Sequence, residues 1–225
     1  AQLPSTNSSN FYYVNRLVVH QVTGDVYAAT NSGVFRSQNA GATWTKVLGS
    51  GVGAATNNFS DVEVSTSGMI WASTRTNGEI YNSSSGNSGA WTKLNTDNGM
   101  PVSGISRIDF APSPSNPQVC YTFCAISGVN FYKTVDAGAT WVQLIDPVDA
   151  DGGIGNDITR SQSWYDMSIV VDPNNSNIVW VGGVDLFRST NGGSSWQQMS
   201  HWYGGYNFQE VHADQHIAIY QPGNS

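Results

Sequence analysis

Three stretches of the sequence decide the fold because they repeat one pattern. They read FRSQNAGATWTKV at Phe35–Val47, FYKTVDAGATWVQL at Phe131–Leu144 and FRSTNGGSSWQQM at Phe187–Met199. Each contains an aromatic residue, a basic residue, a hydroxyl, an Asn or Asp, a Gly and then a Trp. A degenerate fourth copy, IYNSSSGNSGAWTKL, ends its turn at Trp91. The tryptophans recur at intervals of roughly 50 residues, which is the length of a propeller blade.

Each repeat divides into four short β-runs that are separated by turn residues. In the first repeat these runs are YYVNRLVVH, DVYAAT, GVFRS and TWTKVL. Four strands per unit of this length predict an all-β chain, a β-propeller of four-stranded antiparallel blades. The expected blades are 11–50, 57–96, 103–146 and 164–200, with the start of a fifth at 211–225.

Residues 1–225 are therefore expected to form a single, incomplete propeller of about four and a half blades. A propeller must close its ring to hide the edges of its sheets. The chain could continue beyond Ser225, another chain could supply the remaining blades, or the last strand could close a four-bladed ring. We expect the first arrangement, because IYQPGNS resembles APSPSNPQV and VVDPNNSNIV, which each lead into another strand.

The repeated turn has an explanation that requires no enzyme. The Asn or Asp side chain can accept hydrogen bonds from its own turn, the Gly adopts a backbone angle closed to other residues, and the Trp buries its ring. The residues expected in these roles are Ser37, Asn39, Gly41 and Trp44; Asp136, Gly138 and Trp141; and Ser189, Asn191, Gly193 and Trp196. In the degenerate copy Gly86 replaces the acid or amide, so we expect a looser turn.

The stretches SQNAGATW, TVDAGATW and STNGGSSW resemble the Asp-box, or bacterial neuraminidase repeat, whose pattern is Ser-x-Asp-x-Gly-x-Thr-Trp. The resemblance implies Asp-box turns on a β-propeller but no particular activity. Such boxes occur in sialidases, xyloglucan-degrading hydrolases, sortilin-type receptors and secreted bacterial surface proteins. The segment from Ser161 to His216 also resembles exported propellers of Bacteroidetes, which often precede a type IX secretion sorting domain.

Composition narrows the classes of function. Charged residues make up only 11% of the chain, and its net charge is −7. Such a chain repels phosphate backbones, so nucleic acid is not an expected partner. The sequence contains no run of about 18 apolar residues, so it predicts no transmembrane segment. Low charge with abundant Ser, Thr, Asn and Gly is typical of secreted bacterial β-proteins, so we expect an extracellular protein, secreted or attached to the cell surface.

Carboxylates on the first strands are the candidate catalytic residues. Alignment of the repeats places Arg16, Asp61 and Arg107 in one column, with Glu63 and Asp109 two residues further on the same face. We expect interblade ion pairs from this alternation of charge. Asp61 and Asp109 could alternatively provide acid and base catalysis. The xyloglucan-degrading enzymes carry a catalytic Asp in a segment resembling YAATNSGVFRS, where this chain has Asn31, and an amide cannot replace it.

Exposed aromatic residues are the candidate ligand-binding surface. Trp164 and Tyr165 precede the fourth blade, and Trp202, Tyr203 and Tyr206 follow it in the stretch HWYGGYNF. These side chains could stack against sugar rings. The alternative is that the long connections bury their aromatic residues to pack themselves.

No cofactor is expected, although two stretches are candidate metal sites. Strand alternation would place His212, Asp214 and His216 on one face, but the two imidazoles would lie about 13 Å apart along a strand. The alternative there is a polar, hydrogen-bonded cluster. The stretch Asp146–Asp157 is rich in carboxylates and glycine and is a candidate Ca²⁺ site. Cys120 and Cys124 are expected to be buried thiols, since their spacing on one strand prevents a disulfide.

The sequence thus favours a secreted or cell-surface β-propeller that binds a glycan or a protein partner and has no catalytic activity. The rest of the propeller would lie in the same chain or in another one. One alternative is a glycoside hydrolase with part of its active site outside this sequence. The other is a structural subunit of a surface assembly.

Overall fold

The computed structural model describes residues 9–94, 98–152 and 157–221. Within these ranges the chain is all-β, and its only helical element is a single 3₁₀ turn, Ser9–Phe11. The described residues form two compact units. The first combines residues up to 94 with 101–108, and the second contains 98–100 and the residues from 109 onward.

The first unit contains two sheets in which strands adjacent in the chain are also adjacent in the sheet. The first sheet consists of β1 (Val14–Val19), β2 (Val26–Thr30), β3 (Gly33–Ser37), β4 (Thr45–Ser50) and β5 (Gly53–Ala54). The second consists of β6 (Phe59–Val64), β7 (Ile70–Thr74), β8 (Ile80–Ser83) and β9 (Thr92–Lys93). Side chains of both sheets form one apolar core that includes Tyr27, Phe59, Val62 and Ile70.

The second unit contains the greater part of two further sheets with the same sequential order. The third sheet consists of β10 (Arg107–Pro112), β11 (Cys120–Ala125), β12 (Val129–Thr134) and β13 (Val142–Gln143). The fourth consists of β14 (Ser168–Val171), β15 (Val179–Gly182), β16 (Leu186–Ser189) and β17 (Gln197–Gln198). Two short strands, β18 (Ser200–His201) and β19 (Gln209–Glu210), pair in parallel after the fourth sheet. Phe123, Phe131, Met167 and Phe187 lie in the apolar core of this unit.

The prediction of an all-β chain of sequential strands is confirmed, and the free thiols of Cys120 and Cys124 are buried as expected. The predicted first strand of a fifth blade is wrong for the residues that are described. Residues 211–221 contain no strand, and Asp214 has a φ of 72°, which ends any extended run. The amide of Gln215 instead donates a 2.8 Å hydrogen bond to the carbonyl of Gly183. Residues 222–225 lie outside the described ranges.

Three turns share two hydrogen bonds, and the repeat predicts the one that the Asn or Asp side chain accepts. In the first, the amide of Gly41 donates to Oγ of Ser37 at 2.8 Å, and the amide of Thr43 donates to Oδ1 of Asn39 at 2.8 Å. The same two bonds recur from Gly138 to Thr134 and Thr140 to Asp136, and from Gly193 to Ser189 and Ser195 to Asn191. One hydroxyl and one Asn or Asp side chain therefore bind the backbone of each turn.

The degenerate turn differs because it is one residue longer between its hydroxyl and its tryptophan. The amide of Gly86 donates to Oγ of Ser83 at 2.9 Å, so Gly86 takes the role that Gly41 has in the first turn. The alignment that placed Gly86 at the Asn position is therefore wrong. The tryptophans also differ in burial: Trp141 is buried, whereas Trp44, Trp91 and Trp196 are half-buried.

Candidate functional site

The two candidate catalytic carboxylates belong to different units. Asp61 is buried on β6, and its Oδ1 lies 3.3 Å from Nε of Arg16 on β1. Nε of Arg16 also donates a 2.7 Å hydrogen bond to Oε1 of Glu63. These contacts are the ion pairs between neighbouring sheets that the charge pattern predicts. Asp109 lies partly exposed on β10, in the second unit.

A denser group of charged side chains lies in the second unit, and we call it the Arg160 cluster. Its members are Asp149, Asp151, Arg160, Asp185 and His201. Nη2 of Arg160 lies 3.1 Å from Asp149 and 3.8 Å from Asp185, and it also donates a short hydrogen bond to Asp151. Nε2 of His201 lies 3.1 Å from Oδ1 of Asp151. One guanidinium thus contacts three carboxylates.

The connection between β13 and β14 supplies the first three members of the cluster. The amide of Ala150 donates a 2.8 Å hydrogen bond to the side chain of Gln198, which fixes the segment that carries Asp149 and Asp151. Asp157 accepts hydrogen bonds from the amides of Thr159 and Ser161 and so closes the turn around Arg160. The residues from 153 to 156 in this connection lie outside the described ranges.

The β15–β16 hairpin supplies Asp185 and packs closely against the same connection. The amide of Val184 donates a 2.9 Å hydrogen bond to the carbonyl of Ile158. A Cβ on Gly183 would lie only 2.4 Å from that carbonyl oxygen, so glycine is required for this close approach. The fourth part is β18, which carries His201 at its end.

Burial and neighbouring polar or charged groups shift the pKa of two carboxylates in the cluster. Burial and the neighbouring Asp149 raise the pKa of Asp185 to about 6, against the opposing effects of His201 and Arg160. For Asp151, burial acts in the opposite direction to hydrogen bonds from Arg160, Tyr203 and His201, and these bonds hold its pKa well below the usual range. The two carboxylates therefore differ in charge in mildly acidic solution.

Residues 202–206, which we call the aromatic loop, continue directly from the cluster. Trp202, Tyr203 and Tyr206 are 42%, 49% and 56% exposed. Their ring centroids lie 6.5, 4.1 and 5.2 Å from that of the buried His201. The hydroxyl of Tyr203 donates a 2.8 Å hydrogen bond to Asp151, and the guanidinium of Arg160 lies 5.8 Å from the centre of the Trp202 ring. Three of the five predicted ligand-binding residues are thus brought together around one imidazole.

Trp164 and Tyr165 form a second aromatic group. Their ring centroids lie 5.3 Å apart, and Tyr165 makes an edge contact with His216 at 4.3 Å. Both side chains are exposed, like those of the aromatic loop. The alternative hypothesis was that the long connections bury their aromatic residues. All five predicted ligand-binding side chains are instead exposed in this structure.

The strand that the sequence predicts for His212, Asp214 and His216 does not form, so these side chains do not lie along one strand face. Nδ1 of His212 lies 2.9 Å from the carbonyl of Ala213, and His216 makes an edge contact with Tyr165. Within the described ranges the one group of three residues with metal-ligand spacing consists of Asp149, Asp185 and His201. In the candidate Ca²⁺ stretch, Asp149 and Asp151 contact Arg160, and Asp157 binds its own turn.

Sequence reasoning missed Arg160, Asp185 and His201 as members of one site. One signal was present: Glu79 and Asp185 are both acidic residues immediately before the third strand of their sheet, and both are buried. A buried acid at such a position requires a cationic partner. Glu79 pairs with Lys93 at 2.6 Å, whereas the partner of Asp185 comes from a distant connection, which no sequence pattern reveals.

Comparison with known proteins found no matching family model and no matching curated protein. Among solved structures, the GH74 xyloglucanase of Xanthomonas campestris is 18% identical, with a TM-score of 0.56 over 80% of this chain and 29% of that one. An ancestral GH74 enzyme is 20% identical, with a TM-score of 0.59 over 84% of this chain and 24% of that one.

A further similar structure is the extracellular domain of a protein described as a one-component system of B. thetaiotaomicron. It is 13% identical, with a TM-score of 0.60 over 90% of this chain and 24% of that one. These structures are β-propeller proteins, and the likeness supports a propeller fold for this chain. The chain spans less than a third of the length of each. No helix among the described residues is long and apolar enough to cross a membrane.

Proposed function

We propose that this chain is part of an extracellular Asp-box β-propeller that binds a glycan through the aromatic loop. The observation that carries the proposal is the exposure of Trp202, Tyr203 and Tyr206 around the buried ring of His201. Aromatic faces stack against the apolar faces of sugar rings, and the polar groups of Tyr and Trp bind hydroxyls at the edges. The aromatic loop presents both kinds of contact at one place.

The rings of the aromatic loop are held before any ligand arrives. Tyr203 and Trp202 donate hydrogen bonds to Asp151 at 2.8 and 3.4 Å. The amide of Gly204 donates to the carbonyl of His201 at 2.9 Å, which folds the loop back on β18. A ligand that binds such a surface loses little affinity to the ordering of side chains.

The extracellular location rests on two further features. The similar structures include extracellular domains, and the low charge of the chain is typical of exported β-proteins. The hydrogen bonds shared by the three turns are those expected of Asp-boxes, so they support that part of the proposal. The number of blades in the ring stays a prediction.

A glycoside hydrolase is the second candidate, and one observation favours it. The raised pKa of Asp185, about 6, next to a second carboxylate is typical of a general acid. A general acid must however reach the glycosidic oxygen. Asp149 and Asp185 are both buried in this structure, so we prefer binding to hydrolysis.

Migration of the protein through gels that contain individual plant and bacterial polysaccharides tests the proposal. Retardation without release of reducing sugar supports a binding module. If the natural protein releases reducing sugar and the Asp185→Asn variant does not, the protein is a hydrolase instead. If no polysaccharide retards the protein and its mass rises with concentration in light scattering, the protein is a subunit of an assembly.

A further inference from the structure

The Arg160 cluster contains more negative charge than its one guanidinium neutralises. The side chains of Asp149 and Asp185 have 0% exposure, and that of Asp151 has 15%. Three carboxylates thus surround one guanidinium and one imidazole. Buried carboxylates are stable only when cations or hydrogen bonds compensate them. The composition of the cluster therefore favours a second, small cation.

Asp185 is the carboxylate of the cluster whose negative charge has the weakest compensation. Both of its carboxylate oxygens are buried, and neither accepts a hydrogen bond of normal length and angle within the described ranges. The backbone amide of Trp202 interacts with this carboxylate only weakly and lowers its pKa less than burial raises it. Its nearest cationic atom is Nη2 of Arg160 at 3.8 Å, which is beyond hydrogen-bond distance. Buried polar atoms of this kind generally have a partner, often an ion or an ordered water.

The geometry around Asp185 fits a metal ion. One carboxylate oxygen of Asp149, one of Asp185 and one ring nitrogen of His201 lie within 4.8 Å of one another. Shifts of about 1 Å bring three such atoms to the bond lengths of about 2.0–2.2 Å that zinc has with nitrogen and oxygen. Nε2 of His201 lies 3.1 Å from Asp151, and Nδ1 accepts a 3.4 Å hydrogen bond from the amide of Gly205, so one of these two contacts must give way when the imidazole binds a metal ion.

We propose that Asp149, Asp185 and His201 bind one divalent transition-metal cation, in a state in which Arg160 has moved out of the cluster. The side chain of Arg160 is 22% exposed, so part of it already contacts solvent, and its guanidinium lies 5.8 Å from the centre of the exposed Trp202 ring. The guanidinium and the metal ion compete for the same carboxylates. The imidazole favours Zn²⁺ over Mn²⁺, which prefers oxygen ligands, and over Ca²⁺, which prefers six to eight of them.

Calorimetric titration of the metal-free protein with Zn²⁺, and separately with Mn²⁺ and Ca²⁺, tests this site without any glycan. We expect one Zn²⁺ per chain, weaker binding of Mn²⁺ and the weakest binding of Ca²⁺. Asp185→Asn should weaken Zn²⁺ binding by at least about tenfold, because it removes a ligand charge. Arg160→Gln should strengthen it by about tenfold, because it removes the competing cation.

The gain of affinity in Arg160→Gln is decisive, because a folding defect would not produce it. Circular dichroism of Asp185→Asn shows whether that variant is folded, and if it is not, the Arg160→Gln result alone decides. His212→Ala is the matched control, since His212 is an exposed histidine outside the cluster. The proposal is overturned if His212→Ala abolishes binding, if Arg160→Gln binds no more tightly than the natural protein, or if Ca²⁺ binds more tightly than Zn²⁺.

Discussion

The hydroxyl of Tyr203 donates a 2.8 Å hydrogen bond to Oδ1 of Asp151. The same carboxylate accepts a hydrogen bond from Arg160 and contacts His201. An exposed ring of the aromatic loop is thereby connected to the buried charges beneath it. Any change at Asp151 should therefore be measurable at Tyr203.

Replacement of Asp151 should lower the pKa of Tyr203. The hydrogen bond to Asp151 is the main cause that raises this pKa to about 12, because a carboxylate favours the protonated phenol. In Asp151→Asn we expect the pKa to fall toward the ordinary value of about 10. Ultraviolet titration of the tyrosines measures it, with Tyr203→Phe to identify which transition belongs to Tyr203. An unchanged transition in Asp151→Asn would show that the bond does not form in solution.

Asp136 should make the third repeat sensitive to acid. Hydrogen bonds from the side chain and amide of Thr140 lower the pKa of Asp136, against a smaller effect of burial. A lowered folded-state pKa gives stability that is complete above the unfolded pKa and is lost as the pH falls through the folded one. We expect Asp136→Asn to reduce the loss of stability below about pH 4. Chemical denaturation at pH 3 and pH 7 measures this loss.

The first and third intact turns already carry Asn at this position, as Asn39 and Asn191. Asp136→Asn should therefore keep the turn folded at pH 7, where its stability should stay close to that of the natural protein. A variant that is strongly destabilised at pH 7, or that loses as much stability in acid as the natural protein, would contradict the assignment.

Two glycines of the degenerate turn should respond differently to alanine. Both have positive φ, +64° at Gly86 and +79° at Gly89, so alanine is strained at either position. A Cβ at Gly86 would lie 2.1 Å from the hydroxyl oxygen of the buried Tyr27, whereas a Cβ at Gly89 would meet nothing within 4 Å. We expect Gly86→Ala to lower the free energy of unfolding by about 1–3 kcal/mol more than Gly89→Ala does. Equal losses in urea denaturation would refute the packing of Gly86 against Tyr27.

Arg16 should stabilise the first unit because Asp61 is buried beside it. We expect Arg16→Gln to cost about 2 kcal/mol, less than the 3–5 kcal/mol of a fully buried pair, because Arg16 is partly exposed. The double variant Arg16→Gln/Asp61→Asn should lose less than the two single variants together. Strictly additive losses in a double-mutant cycle would mean that the two side chains do not interact.

Most strands and turns of the fold were predictable, because short local patterns of residues determine them. The turn residues Asn39, Gly41 and Trp44 recur with their strands, and each turn forms its hydrogen bonds within seven residues. The strand predicted at His212–Tyr220 failed for the opposite reason. A strand needs a neighbour that supplies its hydrogen bonds, and the alternation of residues alone does not show whether one is present.

The candidate site was predictable only in part. The exposed rings of Trp202, Tyr203 and Tyr206 follow from the density of aromatic residues in one connection. The contact of Arg160 with Asp185 does not, because it depends on how a long connection packs against a hairpin. Position-by-position comparison of the repeats suggests that Asp185 is buried, but it does not identify the partner.

Glycan binding by the aromatic loop is tested most directly by calorimetry on Trp202→Ala. The ligand is a polysaccharide that retards the natural protein in a gel, and the quantity measured is the affinity of the variant for it. Tyr13→Ala is the matched control, since Tyr13 is an exposed aromatic residue of the first unit. We expect Trp202→Ala to weaken binding by at least about tenfold, because truncation of a central aromatic contact residue costs about 2 kcal/mol, and Tyr13→Ala to leave it unchanged. Equal affinity of Trp202→Ala and the natural protein would contradict glycan binding by the aromatic loop.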